Sequence, residues 1–373
     1  MTVSIIDPIG GHGAMDYYDY GLAYGLGEND VCVFFYTSEE TNTRVYRNVQ
    51  TKLIFKGVWG SSILKKTWRY MKGHREAYID SKKNKAKIVH LHFFSFRSID
   101  LLMLLIARVY GFKVMVTVHD VNSFHGNSKK FVERSCYRLI DGVIVHNQAS
   151  ADAISEKSFK TNQIAIIPHG NYLPFISTDG SKKCLSTRFN ILFFGQIKKV
   201  KGLDVLLKAI QRVVAINDNI AVLVAGRPWK DDQSTYQSMI SELGLSLFVK
   251  TDFRYIPDEE VADFFQEADI VALPYKEIYQ SGVLLLTMSY GKPVLCSDLK
   301  PFKEIIKDKE TGFLFKSEDD KDLADKLLEL MANPELLLKV SKKASVLIQN
   351  DFDWITIGHK TLDFYRQILK SDY

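Results

Sequence analysis

Residues 267–298 read EADIVALPYKEIYQSGVLLLTMSYGKPVLCSD, and this stretch is the most informative part of the chain. A short apolar run ends at Pro274, a polar loop follows, a helical run begins at Gly282, and a second apolar run, PVLCSD, comes next. Short continuous apolar runs are typical of strands buried on both faces, and a helix between two of them is typical of parallel strands joined by a crossover. The stretch therefore predicts a β-α-β unit.

The same alternation runs along the whole chain. Its apolar runs are VSIID, VCVFFY, IVHLHFF, KVMVTVHD, GVIVHN, IAIIPHG, NILFFG, AVLVAG, IVALPY, PVLCSD and GFLF. Periodicity is lost only in residues 170–189, which are rich in Pro, Gly, Ser and Thr and are predicted to form a linker. We therefore expect an α/β protein with two Rossmann-like, doubly wound domains facing a central cleft. They would cover residues 1–170 and 188–350, and a helix in 351–373 would pack back towards the first domain.

Composition and charge narrow the function classes. The chain has 373 residues, is 46% hydrophobic and 25% charged, and has four widely spaced cysteines. This pattern fits neither a zinc site nor a disulfide framework, and it favours a reducing cytoplasm. No signal peptide or membrane-spanning segment is expected. Residues 52–87 hold eleven lysines and arginines against two acidic residues, with tryptophans and a methionine among them, which predicts contact with an anionic membrane surface rather than nucleic acid. A solvated helix face is the alternative.

Two motifs in the first half are candidate ligand contacts. GGHGAMD, residues 10–16, follows the first strand, so Gly11 and Gly13 would let the backbone approach a ligand closely, although a tight turn explains them equally well. TVHDV places His119 at the carboxyl end of a strand, where it can donate to a hydroxyl or carbonyl. His146 and His169 also follow strands, and we expect them to cap turns.

The second half offers a candidate diphosphate pocket. In FGQIKKVKG, residues 194–202, a turn at Gly195 precedes Lys201 at the predicted start of a helix, where a lysine can reach a phosphate. Lys198 and Lys199 are expected to form a solvated edge. The free amides at the start of the helix that begins at Gly282 would face the same anion. Arg227, in AGRPW, is either a second phosphate ligand or a partner in a surface salt bridge.

The order of these motifs resembles glycosyltransferase family 4, the retaining sugar-nucleotide enzymes of the GT-B fold. The resemblance rests on GGHG, HD, GQIKKVKG, AGRPW, RYIPDEEVADFFQEADIVALPY, QSGVLLLTMSYGKPV and TGFLF, and it covers nearly the whole chain. It implies that His119 contacts the donor sugar and that Lys201 grips the diphosphate. The nucleotide base would lie near Tyr255 and Ile256. The remaining predicted donor contacts are Gly11, Gly13, Gly195, Gln196, Arg227, Gln280, Ser281, Gly282, Val283, Leu284 and Thr287.

The chain departs from the family pattern at three positions. Gln196 stands where the family has an arginine, and Tyr279 and Thr287 stand where it has two glutamates. Glu277 lies two residues too early to replace the first glutamate unless the loop is shifted. The variant QSGV motif resembles a subgroup of bacterial polysaccharide glycosyltransferases.

The resemblance implies a retaining glycosyltransferase that moves a hexose-type sugar from a nucleotide diphosphate-sugar to a saccharide or a lipid-linked saccharide in bacterial surface polysaccharide synthesis. It would need no metal and no cofactor, because Lys201 and the helix amides would stabilise the leaving group. Two alternatives remain open. One is a sugar-nucleotide epimerase of the same fold, and the other is a weakly active binding or scaffold subunit, which the missing glutamates favour. A dehydrogenase is disfavoured because no complete dinucleotide fingerprint is present.

Overall fold

The computed structural model describes residues 1–13, 15–60, 62–121, 130–156, 163–177, 188–229 and 233–370. The chain divides into two compact units, Met1–Gly170 together with Phe352–Tyr373, and Asn171–Asp351. We refer to them as unit 1 and unit 2. Each unit is a parallel sheet with helices, so the predicted fold class, an α/β chain with two Rossmann-like domains, is confirmed.

Unit 1 contains a seven-stranded sheet in the order β3-β2-β1-β4-β5-β6-β7, in which all neighbours are parallel. Its strands are β1 (Thr2–Asp7), β2 (Cys32–Ser38), β3 (Val49–Phe55), β4 (Ile88–Phe93), β5 (Lys113–Val118), β6 (Gly142–Val145) and β7 (Ile164–Ile166). Its helices are α1 (Asp16–Glu28), α2 (Ile63–Lys83), α3 (Ser98–Val109), α4 (Lys130–Leu139), α5 (Gln148–Glu156) and the last helix of the chain, α13 (Trp354–Lys370).

Unit 2 contains a six-stranded parallel sheet in the order β10-β9-β8-β11-β12-β13. Its strands are β8 (Phe189–Phe194), β9 (Ile220–Ala225), β10 (Val249–Asp252), β11 (Ile270–Leu273), β12 (Val294–Ser297) and β13 (Phe313–Phe315). Its helices are α6 (Leu203–Val214), α7 (Gln233–Glu242), α8 (Asp258–Glu267), α9 (Gly282–Ser289), α10 (Lys300–Lys303), α11 (Asp320–Met331) and α12 (Pro334–Asp351).

Two strands were missed by the sequence patterns, and both are edge strands. β3 reads VQTKLIF and β10 reads VKTD, and each lies at the outside of its sheet. An edge strand has one partner and is only partly covered, so its sequence does not need the continuous apolar run that marks a central strand.

Helix α13 packs against α1 at unusually close range. A Cβ atom at Gly358 would overlap the backbone of Gly25, and one at Gly21 would overlap the indole of Trp354, which is fully buried. Small residues let two helix backbones approach until their surfaces interlock, and larger residues would force them apart. The glycines of α1 therefore fix the position of α13.

In each sheet the strand order reverses at one place. In unit 1 the reversal lies between β1 and β4, and in unit 2 it lies between β8 and β11. At such a point the loops that follow the two neighbouring strands run in opposite directions and leave a crevice at the carboxyl edge of the sheet. Open α/β sheets bind their ligands in this crevice. The two candidate sites below lie at these two points.

Candidate functional site

The candidate site of unit 2 is built from the loops that follow β8, β9 and β11. Gly195, the first residue after β8, has a φ of +99°, and a Cβ atom there would lie 3.1 Å from Cγ2 of Val283 in the first turn of α9. The segment after β9 is bonded to the segment after β8, because Ile197 N donates to Arg227 O at 3.0 Å. The two predicted phosphate-binding segments, 195–201 and 280–284, thus share one edge of the sheet.

The sequence predicted that Lys201 lies at the start of a helix. In the structure it lies before that helix. A short 3-10 turn spans Lys199–Lys201, Gly202 takes the left-handed conformation at φ 68°, and α6 begins at Leu203. The reason is steric: a Cβ at Gly202 would overlap the carbonyl of Pro274, so the chain passes close to the end of β11 before the helix can start.

Residues that follow β11 hold Lys201 in place. Lys201 Nζ donates to the phenolic oxygen of buried Tyr275 at 3.0 Å. The next residue, Lys276, donates to Asp204 Oδ2 at 2.7 Å, and its backbone N–H donates to Val200 O at 2.8 Å. The lysine ammonium is therefore anchored by a rigid neighbour and stays half-exposed at the reversal point.

The amino end of α9 differs in one respect from the predicted anion site. Ser281 is the N-cap residue, and its Oγ accepts from Leu284 N at 3.1 Å. The amide of Leu284 is therefore engaged, which leaves the predicted amides of Gly282 and Val283 for an anion. The hydroxyl of Tyr172 lies against this end, because a Cβ at Gly282 would be 2.8 Å from it. Sequence patterns gave no signal for Tyr172, which falls in the predicted linker.

The other predicted donor contacts lie in different environments. Gln196 and Arg227 are exposed, Tyr255 is 64% exposed, and Ile256 beside it is buried. Gln280 is half-buried. Thr287 is fully buried, and its Oγ1 donates to the carbonyl of Val283 at 2.7 Å within α9, so its hydroxyl proton is already engaged. The role of each in donor binding stays a prediction.

The candidate site of unit 1 is a buried group of aromatic and imidazole rings. His119, His146 and His169 follow the neighbouring strands β5, β6 and β7, and His92 lies near the end of β4. The ring of Tyr18, on α1, lies with its centroid 4.7–5.2 Å from those of all four imidazoles. His146 and His169 therefore belong to one cluster with His119. Each also donates to a backbone carbonyl, that of Ile167 at 2.9 Å and that of Gly170 at 2.7 Å, so the expectation that they cap turns stays a prediction.

Burial controls the charge of this cluster. It lowers the pKa of His92 to about 4, that of His146 to about 3 and that of His169 to about 4. Burial, followed by the neighbouring imidazoles, also holds the pKa of His119 well below its usual value. All four rings are therefore neutral at pH 7, because burial removes the hydration that a charged imidazole needs.

Two carboxyls lie beneath the imidazoles, at the carboxyl end of β1 and in α1. His92 Nδ1 lies 2.7 Å from Asp19 Oδ1, and burial raises the pKa of both Asp19 and Asp7 well above the usual value. The two oxygens of Asp7 accept the backbone N–H groups of Ile9 (2.9 Å) and Gly10 (3.2 Å) and so shape the glycine loop. The sequence patterns missed the group formed by Asp7, Asp19 and His92, because its members lie far apart in the chain.

The same trio is a candidate cation site. One ligand atom from each of Asp7, Asp19 and His92 lies within 4.8 Å of the others, and these are ligand types that divalent metals accept. Against a resident cation, the raised pKa of each carboxyl means that burial favours a proton there, and protons compete with metals for the same oxygens.

The glycine loop itself is explained by packing. A Cβ at Gly10, whose φ is +46°, would overlap the hydroxyls of Thr37 and Thr41, and one at Gly11 would overlap the carbonyl of Glu40. The loop forms a 3-10 turn, Gly10–Gly13, pressed against the segment after β2. A ligand contact of Gly11 or Gly13 stays a prediction beside this structural reason.

Family profiles match both units. Residues 20–171 match the profile described as Glycosyltransferase Family 4, and residues 180–346 match the one described as Glycosyl transferases group 1. The chain belongs to glycosyltransferase family 4. The resemblance inferred from its motifs is thus confirmed.

Curated relatives of this family 4 member are about a quarter identical to it over the aligned residues, which are about half of the chain. A D-inositol 3-phosphate glycosyltransferase of Saccharomonospora viridis is 27% identical over 188 residues, which are 48% of this chain and 43% of that protein. A phosphatidyl-myo-inositol mannosyltransferase of Mycobacterium leprae is 27% identical over 183 residues, which are 48% of this chain and 47% of that protein. The chain thus spans about half the length of these relatives.

Solved structures share the fold at lower identity. A sucrose-phosphate synthase of Thermosynechococcus elongatus superposes with a TM-score of 0.80 at 18% identity, covering 100% of both chains. The Anabaena protein HepE, solved in complex with UDP, superposes with a TM-score of 0.74 at 15% identity, covering 98% of this chain and 100% of its own. At such identities the likeness shows the fold alone.

Proposed function

We propose that this chain is a retaining glycosyltransferase that moves a hexose-type sugar from a nucleotide diphosphate-sugar to a saccharide or lipid-linked saccharide acceptor, in the synthesis of bacterial surface polysaccharide. One observation carries the proposal. Lys201 follows β8, and the amides of Gly282 and Val283 begin the helix that follows β11, so they come from the two strands on either side of the strand reversal. A fixed ammonium and the first two amides of a helix at one strand reversal form an arrangement that suits a diphosphate.

The chemistry then follows from the leaving group. As the sugar–phosphate bond breaks, negative charge grows on the departing diphosphate, and a fixed ammonium with two amides stabilises that charge without having to reorganise. No protein carboxylate is needed for this step. The side chains of Gln196 and Arg227 are exposed at the same edge and would add contacts to the bound nucleotide. We propose that the reaction needs no metal ion.

The direct test uses the purified chain with UDP-glucose, UDP-galactose, GDP-mannose and ADP-glucose. Slow release of free nucleoside diphosphate from one of them is the expected result. Proton NMR of the transferred sugar would then show the same anomeric configuration as in the donor. Inverted configuration would overturn the retaining assignment, and no release from any donor, with or without simple sugar acceptors, would overturn the transferase assignment.

A second candidate, a sugar-nucleotide epimerase, is favoured by one feature of unit 1. An epimerase needs carboxyls and imidazoles that converge, and Asp7, Asp19 and His92 do so beside His119. The same incubation separates the two functions. An epimerase returns an altered sugar still attached to its nucleotide, whereas a transferase releases the nucleotide.

We also propose that the acceptor is met at an anionic membrane surface through α2. One face of this helix, with Tyr70, His74 and Tyr78, is buried, whereas Leu64 and Trp68 on another face are 81% and 62% exposed. Leu64, Trp68 and Met71 recur at helical spacing and form an exposed apolar stripe among lysines and arginines. This combination is typical of a helix that lies in a lipid interface. No helix of the described residues is long and apolar enough to cross a membrane.

A further inference from the structure

The hydrogen bonds of His146 decide where its proton sits. Its Nδ1 lies 2.9 Å from the carbonyl oxygen of Ile167, and its Nε2 lies 3.3 Å from Nδ1 of His119. A carbonyl oxygen can only accept, so Nδ1 of His146 must carry a hydrogen. The lowered pKa of His146 leaves the ring neutral, with one hydrogen, and its Nε2 is therefore a bare acceptor.

The tautomer of His146 in turn fixes the tautomer of His119. Because Nε2 of His146 accepts, Nδ1 of His119 must donate to it, and the neutral His119 ring has no second hydrogen. Nε2 of His119 is then an unprotonated nitrogen. It is buried, and no described residue donates to it. Burying an acceptor without a donor is unfavourable, which makes this nitrogen a place where a ligand's hydrogen-bond donor is favoured.

The ring of His119 cannot easily turn away. Phe94 stacks on it with centroids 5.2 Å apart and planes at 27°, and the ring of Tyr18 lies perpendicular to it, with centroids 4.7 Å apart and planes at 89°. Its backbone N–H is fixed by the carbonyl of Phe93 at 3.0 Å. Packing thus fixes the direction in which Nε2 of His119 points. The hydrogen bond to His146 leaves that nitrogen without a hydrogen.

We infer that His146 is a positioning residue that fixes the tautomer of His119, so that His119 offers Nε2 as a hydrogen-bond acceptor to a hydroxyl group of the sugar ligand. This reverses the polarity expected from the sequence, in which His119 donates. A lone pair attracts a hydroxyl and repels the oxygens of a phosphate, so this position selects for the sugar rather than the diphosphate. The ligand class rests on the proposed function, whereas the tautomer does not.

The tautomer is tested on the ligand-free protein by two-bond proton–nitrogen correlation spectra with ¹⁵N-labelled histidine. The expected spectrum shows His119 with hydrogen on Nδ1 and a bare Nε2. In His146→Leu, His119 should become a mixture of tautomers, and in His146→Gln, whose amide oxygen accepts in the same place, the wild-type pattern should return. His74→Leu is the matched control, because His74 is also buried and also donates through Nδ1 to a carbonyl, that of Tyr70 at 2.9 Å.

Hydrogen on Nε2 of His119 in the wild-type spectrum would overturn the inference, as would an unchanged pattern in His146→Leu. The second arm measures nucleoside diphosphate release from UDP-glucose, UDP-galactose and GDP-mannose. We expect kcat to fall about tenfold in His146→Leu with little change in KM, and to recover in His146→Gln. If the wild-type tautomer is as expected but no donor is turned over, the proposed function fails and the assignment of His146 stands.

Discussion

Lys201 and Tyr275 are joined by a hydrogen bond of 3.0 Å between the lysine ammonium and the phenolic oxygen. Tyr275 is fully buried, so it fixes the position of a charge that would otherwise move freely on a long side chain. This contact distinguishes Lys201 from Lys199, which is exposed in the same turn.

The first prediction follows from this contact. Lys201→Ala should lower kcat by about 30- to 1,000-fold, equivalent to about 2–4 kcal/mol of lost transition-state stabilisation, with a smaller effect on donor affinity. Lys199→Ala is the matched control and should change kcat less than twofold. Steady-state release of nucleoside diphosphate measures both, and full activity of Lys201→Ala would remove it from the leaving-group site.

The second prediction concerns metal ions. Because a lysine and two helix amides are proposed to neutralise the leaving group, turnover should be unchanged after dialysis against EDTA. The trio Asp7, Asp19 and His92 makes the experiment informative, since it is a possible ligand set in unit 1. Loss of turnover that magnesium or manganese restores would contradict the prediction. Asp19→Asn would then show whether this trio is the metal site.

The third prediction concerns stability against pH. Among the described residues, six buried histidines have a pKa lowered by burial: His74, His90, His92, His119, His146 and His169. Between pH 6.5 and about 4 their unfolded forms bind more protons than their folded forms. Stability should therefore fall as the pH falls through this window, by about 1.4 kcal/mol per pH unit for each proton of difference.

Two groups act in the opposite direction. The raised pKa values of Asp7 and Asp19 give stability that is present below pH 3.8 and is lost as the pH rises through their folded values. Since the histidines are more numerous, the melting temperature should still drop steeply from pH 6.5 to 4. Thermal melts of the wild type and of His74→Phe, which should show a shallower slope, check this. A melting temperature that stays constant over that range would be the opposite result.

The fourth prediction concerns lipid. Vesicles containing phosphatidylglycerol should sediment the protein at low salt, and the double variant Leu64→Glu, Trp68→Glu should reduce the bound fraction by at least tenfold. Lys65→Glu with Lys72→Glu should weaken binding by roughly fivefold per charge or more. Lys342→Glu with Lys343→Glu, exposed on α12 in unit 2, is the control. If neutral vesicles bind equally well, or the α2 variants bind like wild type, the proposed surface is wrong.

The fifth prediction concerns the contact of α1 and α13. Gly358→Ala places a methyl group on the backbone of Gly25 and should destabilise the protein by about 1–3 kcal/mol, as overpacking does in a dense core. Lys360→Ala, exposed on the same helix, should change stability by less than about 0.5 kcal/mol. Urea unfolding gives both values, and equal midpoints would show that the helices separate at no cost.

Much of the architecture was predictable because it depends on local patterns. Each central strand, such as β5 or β11, is buried on both faces and must be apolar throughout, so it is visible in four to six residues of sequence. The edge strands β3 and β10 lack that constraint and were missed. The start of α6 was misplaced by two residues, because the close passage of Gly202 past Pro274 is a contact between distant segments.

The candidate sites likewise combine features that are visible in local sequence with features that arise from contacts between distant segments. The two-domain α/β architecture, the membership of glycosyltransferase family 4, and Lys201 and the 280–284 segment as phosphate candidates could be inferred from the sequence, because strand burial and short motifs are local properties. Only the tertiary structure brought His90 within 2.6 Å of the hydroxyl of Tyr365, 275 residues away, and assembled His119 and His146 at the ends of adjacent strands. Strand order decides which residues meet, and no local pattern encodes that order. The proton positions of the imidazoles depend on those meetings, because a neutral imidazole takes its tautomer from its neighbours.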